Sequence, residues 1–171
     1  MLLCYLLLCY LLLCYVLPTI IMEDSVEPKQ LAASRFDEGF NCAQAVFSAH
    51  AESLGLDRDT ALKIAAGFGG GMGRMALTCG ALTGAFMAIG LKYGAVNGQD
   101  VETKQRAYAL IQECAEKFQA QHGSTACRDL LGCDISTPAG NDAAQAQRLF
   151  RTICPGLVQS ATEIAGELLN R

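Results

Sequence analysis

Six cysteines outside the first 21 residues carry most of the chemistry available to this chain: Cys42, Cys79, Cys114, Cys127, Cys133 and Cys154. The richest stretch is Thr78-Cys79-Gly80-Ala81-Leu82-Thr83-Gly84-Ala85. Cys79 stands where a helix should begin, so the positive end of the helix dipole and free backbone N–H groups favour thiolate over thiol. Thiolate is the form that binds metal or attacks a disulfide. Behind it, Gly80, Gly84 and Ala88 recur every four residues and give a smooth face that another helix or a cofactor can approach closely. A buried, inert cysteine on a tightly packed helix is the plainer reading of Cys79 taken alone. The segment just upstream weighs against it. Gly67-Phe68-Gly69-Gly70-Gly71-Met72-Gly73-Arg74 holds five glycines in seven residues before the arginine. Glycine permits φ > 0, and successive N–H groups can form a concave nest that holds an anion or donates hydrogen bonds to cluster sulfurs. Gly69, Gly70, Gly71 and Gly73 are therefore the expected cofactor-binding positions, with a flexible interhelix loop as the plain alternative.

Several other chemistries find less support. A formal net charge of -4, a pI near 5.1 and the absence of Trp and of any Lys/Arg cluster argue against nucleic acid, whose phosphates demand clustered positive charge. Gly71-Met72-Gly73-Arg74-Met75-Ala76 matches the dinucleotide pattern GxGxxG/A loosely, but that fingerprint needs a preceding strand and an Ala-rich stretch precedes this one. His50 and His122 fall at the ends of predicted helices and read as solvated. Arg74 reads as a surface residue, or as the partner of an anion at the glycine loop. Asp37 and Glu38 are helix neighbours that face different directions and do not form an acid/base pair. Cys114 fits the apolar side of its helix and reads as core. No CxxCH is present, hence no covalent haem attachment. No nucleophile–base constellation assigns an enzyme class.

The elements that must position these thiols read as helices separated by glycine. Pro28 suits a helix start, and the first helix runs through Leu31, Phe36 and Phe40, with Gly39-Phe40-Asn41 as a break before Cys42 to Phe47. Residues 57–66 open on an Asp cap and place Ala61, Leu62 and Ala65 on one face. Helices are expected from about Cys79 to Lys92, over 101–121 with Tyr108, Ile111 and Ala115 at helical spacing, and through Cys127, Leu130 and Leu131 behind a Ser124 cap. Asn141 or Asp142 is expected to cap the next, through Leu149 and Phe150, and Pro155 to begin the last, 155–169. No strand pattern appears. The expected fold is all-α, a compact multi-helix bundle with a glycine-rich interhelix loop. Residues 29–171 form the domain, and about 150 residues suffice to bury roughly 70% of the unfolded surface. Six cysteines could staple a secreted scaffold, but an Ala-rich helical chain builds its own core without them. Residues 1–21 form an apolar LLLCY-repeat extension, long enough for a membrane anchor at about 20 apolar residues or else a mis-assigned start ahead of Met22. Residues 22–28 are a linker.

The ordered elements Gly39-Phe40-Asn41-Cys42-Ala43-Gln44-Ala45-Val46, the glycine run, Cys79-Gly80-Ala81-Leu82-Thr83-Gly84, Cys127-Arg128-Asp129-Leu130-Leu131-Gly132 and Cys154 resemble a family of small redox-active proteins. That family is named for its cysteine pattern, C…GCAxxG…C…C. The likeness covers roughly residues 30–165. It implies Cys42, Cys79, Cys127 and Cys154 as the shared cysteines, with Cys114 and Cys133 outside the set. A related domain occurs in split-Soret-type cytochromes, where an iron–sulfur centre accompanies haem. Four thiolates are what an iron–sulfur cluster or a closed zinc site requires. The long separations mean that only the tertiary fold can assemble such a site, and they leave room for redox disulfides such as Cys42 with Cys79, or one using Cys133 in place of Cys127. The leading expectation is electron transfer through an iron–sulfur cluster on the four cysteines, with a redox partner protein. The alternative is a structural zinc or dithiol accessory protein serving a membrane transporter. The expected compartment is cytoplasmic, membrane-tethered only through residues 1–21.

Overall fold

Proline and asparagine decide where the first helices begin. The computed structural model describes residues 27–171; the LLLCY extension of residues 1–21 and the first five residues of the linker lie outside the described residues. Pro28 opens α1 (Pro28–Asp37), where its fixed φ and missing N–H cost nothing. Gly39, at φ +100°, turns the chain. Asn41 then caps α2 (Cys42–Ala51): its side-chain oxygen accepts the N–H groups of Ala43 and Gln44 at 3.0 Å each, and the Gln44 side chain accepts the Asn41 N–H at 3.1 Å. Asp57 caps α3 (Arg58–Ala65) through the Thr60 N–H at 3.0 Å and buries Ala61, Leu62 and Ala65, the face read from the sequence.

Beyond the glycine run come α4 (Gly80–Tyr93) and α5 (Val101–His122). On α5 the buried residues are Ala107, Cys114 and Phe118, while Tyr108 is exposed, so the inward stripe is rotated by one position from the expected one. The short α6 (Cys127–Leu131) follows Ser124, whose hydroxyl accepts the Ala126 N–H and donates to Asp129. Next, α7 (Pro138–Ala146) begins earlier than expected. Thr137-Pro138 supplies both a capping hydroxyl, which accepts the Gly140 N–H at 3.1 Å, and a residue preset for the first turn, so Asn141 lies inside the helix. Arg148, at φ +56°, breaks the chain before the one-turn α8 (Leu149–Thr152), and α9 (Cys154–Leu169) ends the fold. Among the described residues the fold is all-α; a single antiparallel bridge joins Thr78 and Ala126. Among them no helix is long and apolar enough to cross a membrane.

The central helix, α4, packs against α2, α9 and α5. Small residues set how closely: a Cβ at Gly84 would lie 2.7 Å from the Ala43 carbonyl oxygen and 2.9 Å from Val46 Cβ, so α2 rests on bare backbone. The main core gathers Val46, Phe47, Leu82, Ile89, Phe118, Val158 and Leu168. A smaller cluster of Ala76, Cys127, Leu131, Ile135, Ala144 and Cys154 lies beneath α6 and α7. His50 corrects the sequence reading. It is 3% exposed, with Nε2 3.1 Å from the Thr162 carbonyl oxygen, because the last turn of α2 faces α9 and not solvent. At the end of α5, His122 stacks on Phe118 at 4.6 Å with its Nε2 buried.

Candidate functional site

Each of the four shared cysteines stands at the start of a helix. Cys42 is the first residue of α2, Cys127 of α6 and Cys154 of α9, while Cys79 is the residue from which α4 departs. The seam between the two hydrophobic clusters brings these starts together, and all four cysteines line one cavity of ≈ 660 Å³. The dipole argument made for Cys79 thus applies to α2 and α9 as well. The signals were present in the capping pair Asn41/Gln44 and in Pro155, since proline is enriched in a first helical turn.

Backbone contacts hold the thiols in place. The Cys79 N–H donates to the Thr125 carbonyl at 2.8 Å and the Cys127 N–H to the Leu77 carbonyl at 2.6 Å, on either side of the Thr78–Ala126 bridge, which ties two of the cysteines together. Asn41 Nδ2 donates to the Ala66 carbonyl at 2.9 Å and fixes the start of α2 against the end of α3. Glycines make the room. A Cβ at Gly80 would stand 3.2 Å from Cys42 Cβ, and one at Gly71 would stand 2.7 Å from Cys127 Cβ.

The glycine run takes a form that spacing could not predict. Residues 70 to 74 all have positive φ, between +60° and +67°, including the non-glycine residues Met72 and Arg74. The result is a left-handed turn. It draws the N–H groups of residues 73 to 77 onto the carbonyls of residues 69 to 72; of the four expected cofactor-binding glycines, only Gly73 has its N–H engaged in this way. Of the four predicted glycines, Gly69, Gly70 and Gly73 line the cavity, whereas Gly71 is buried behind Cys127. Arg74 is at the exposed rim.

Burial dominates the electrostatics of the metal-free thiols. It pushes Cys79 up to about 11, against the pull of the backbone N–H groups of Ala81 and Leu82, which favours the thiolate. Desolvation thus opposes at Cys79 the thiolate that the helix terminus favours. Burial likewise takes Cys127 to about 12, assisted by repulsion from Cys79, Cys154 and Cys133. Interaction between Cys42 and Cys154 raises the first well above the ordinary thiol range and lowers the second. All six cysteines are free thiols. Cys133 sits half-buried beside the smaller cluster, and Cys114 is fully buried in the main core, as its helix face predicted.

Four thiol donors around a cavity, with glycine at the positions where a Cβ would crowd two of them, fit an iron–sulfur group by donor type and by space. Among the described residues no group of three or more His, Cys, Asp or Glu side chains stands placed to hold a metal ion. A protein of Archaeoglobus fulgidus described only as uncharacterized is 31% identical over 116 residues, covering 64% of this chain and 77% of that protein. No solved structure matches. The family model described as "Putative redox-active protein (C_GCAxxG_C_C)" matches residues 40–168, well over half of the sequence, and the chain belongs to that family.

Proposed function

We propose that Cys42, Cys79, Cys127 and Cys154 hold an iron–sulfur cluster through which the protein exchanges electrons with a redox partner protein. The observation that carries this reading is the convergence of four thiols, each at a helix start, on one cavity. Bound there, the cluster would supply one-electron transfer. Helix N-termini oppose the negative charge of four thiolates, and three of these helices have eight residues or more. The Ala81 and Leu82 N–H groups withdraw electron density from the Cys79 sulfur, a contact that raises a centre's potential. Phe36, Leu130, Ile135 and Leu157 form apolar wall and limit water. Loading must expel the thiol protons that burial retains, so it strengthens as pH rises.

A closed zinc site draws four sulfurs to about 2.3 Å around one point, whereas a cavity of ≈ 660 Å³ has room for a larger inorganic core. The placing of Cys42 and Cys154 on one cavity, with their thiols shifting each other in opposite directions, supports a second reading, a dithiol accessory protein that cycles this pair rather than Cys42 with Cys79.

Anaerobic purification followed by iron, sulfide and zinc analysis and a visible spectrum tests the proposal. The expected protein is coloured and iron-loaded, loses iron with Ser at any of positions 42, 79, 127 or 154, and keeps it in Cys114→Ser and Cys133→Ser. A colourless, iron-free protein after reconstitution refutes the cluster. Reversible Cys42–Cys154 oxidation, read by differential alkylation and mass spectrometry, would then favour the dithiol reading.

A further inference from the structure

We infer that Cys133 is an oxidation site, that it forms a disulfide with Cys127 when the chain meets a peroxide, and that this bond takes Cys127 out of the cavity. The disulfide does not depend on what the thiols hold; its effect on loading rests on the cluster reading.

Cys127 opens α6 and Cys133 follows its end. Six residues of straight helix would set the two about 9 Å apart, beyond the roughly 7 Å that a disulfide tolerates between Cα atoms. The chain does not run straight. Gly132 holds φ +67° and its N–H returns to the Asp129 carbonyl at 3.2 Å, so the backbone reverses just before Cys133. A left-handed residue at a helix end lays the residue after it back on the last turn, and in so short a helix that turn is the one Cys127 begins.

Contacts on both sides agree with this. Arg128 and Asp134, the residues next after the two cysteines, face each other at 3.9 Å. Cys133 packs against the smaller apolar cluster, of which Cys127 is a member. Charge on Cys133 also raises the Cys127 thiol, as only a near neighbour does. Beyond Cys133 the chain is anchored: Asp134 Oδ1 accepts the Ser136 N–H at 3.0 Å and the Ser136 hydroxyl at 2.6 Å. The turn itself has room to move, since a Cβ at Gly132 would meet nothing within 4 Å.

Access decides the order of events. Cys133 is half-buried, whereas Cys127 is 7% exposed, so a peroxide meets Cys133 first. Hydrogen peroxide oxidises the Cys133 thiol to a sulfenic acid and leaves one water. The Cys127 sulfur then attacks that sulfur: the S–S bond forms, the S–O bond breaks, and hydroxide leaves with the Cys127 proton as a second water. Two thiols have lost two electrons and two protons, and one peroxide has become two waters. A dithiol reductant reverses the change. Cys127 lines the cavity and Cys133 does not, so the bond turns a site thiol away from it.

Trypsin cuts after Lys117, Arg128 and Arg148, so Cys127 and Cys133 fall on separate peptides, 118–128 and 129–148, with one cysteine each. The reduced, iron-free full chain is treated with equimolar hydrogen peroxide, alkylated, digested without reductant and read by mass spectrometry. The two peptides should appear joined. The link should vanish with dithiothreitol and in Cys133→Ser, and should form faster in the folded chain than in urea, where nearness in sequence alone acts. Once peroxide is removed, reconstitution with iron and sulfide should fail in the parent, recover after dithiothreitol and proceed in Cys133→Ser. Cys133 left unjoined, as thiol or as sulfinic acid, or a link formed no faster in the folded chain than in urea, overturns the inference. Iron uptake by the cross-linked chain overturns its second half, that the bond takes Cys127 out of the site. An untreated parent that takes up no iron refutes the cluster instead, and the peptide map still decides the disulfide.

Discussion

Replacing Gly71 and Gly132 by alanine, one at a time, isolates what the glycine at the site does. Both residues hold φ +67°, so the strain of placing an L side chain there is shared, about 1–2 kcal/mol each. The entropy lost by the unfolded chain on Gly→Ala is shared too and cancels in the comparison. Only the surroundings differ. A Cβ at Gly132 meets nothing within 4 Å, whereas at Gly71 it lies 2.7 Å from Cys127 Cβ, 2.7 Å from the Leu77 nitrogen and 2.9 Å from the Ala76 carbonyl carbon. Two of these three atoms are backbone and cannot swing aside. Overpacking of this kind costs about 1–3 kcal/mol beyond the strain. Gly71→Ala should therefore lose about 2–5 kcal/mol and Gly132→Ala about 1–2 kcal/mol. Urea denaturation of both variants, with unchanged slopes, measures the difference, and iron content after reconstitution shows whether Cys127 has been displaced. Equal losses would refute the reasoning, since Gly71 would then be present for its φ alone.

Gly84→Ala sets two effects against each other. Helix propensity favours alanine by about 1 kcal/mol, but the Ala43 carbonyl oxygen at 2.7 Å leaves no room for the methyl, so the variant should unfold at lower urea than the parent. His50 predicts the acid limb of stability. Burial lowers its pKa from 6.5 despite the Thr162 carbonyl, so below that pH the unfolded chain binds the proton first and stability falls; His50→Gln should flatten the decline. Cys114 contributes to the alkaline limb. Burial pushes its thiol up to about 12 from 9.0, so its contribution is intact below pH 9.0 and lost as pH climbs toward 12. Denaturation midpoints of the reduced chain across this range should slope less steeply in Cys114→Ala.

Local signals gave away most helix starts. Pro28 and Asp57 act through groups only a few residues away, and such chemistry survives any tertiary arrangement. Thr137-Pro138 is an equally local signal, and it starts the helix ahead of the expected Asn141 or Asp142. The four cysteines were legible as a set only through family resemblance, because no two of them lie close in sequence. Their common place at helix starts follows from the docking of α2, α4, α6 and α9, which no window along the chain contains. The burial of His50 and of Arg35, whose guanidinium reaches Glu52 at 2.7 Å, is likewise a product of packing. The left-handed turn was out of reach for a different reason: glycine permits positive φ without demanding it, and Met72 and Arg74 give no hint of it.

The position of Cys154 at the head of the final helix governs when the cavity can be completed. During synthesis Cys42, Cys79 and Cys127 leave the ribosome first, and the bridge between Thr78 and Ala126 can draw two of them together before α9 exists. The fourth wall arrives only with α9, as it docks on α1, α2, α4 and α5. Whatever the thiols receive is thus sealed in only once α9 has been made, and a chain cut short before that helix would leave three cysteines open to oxygen and to stray metal.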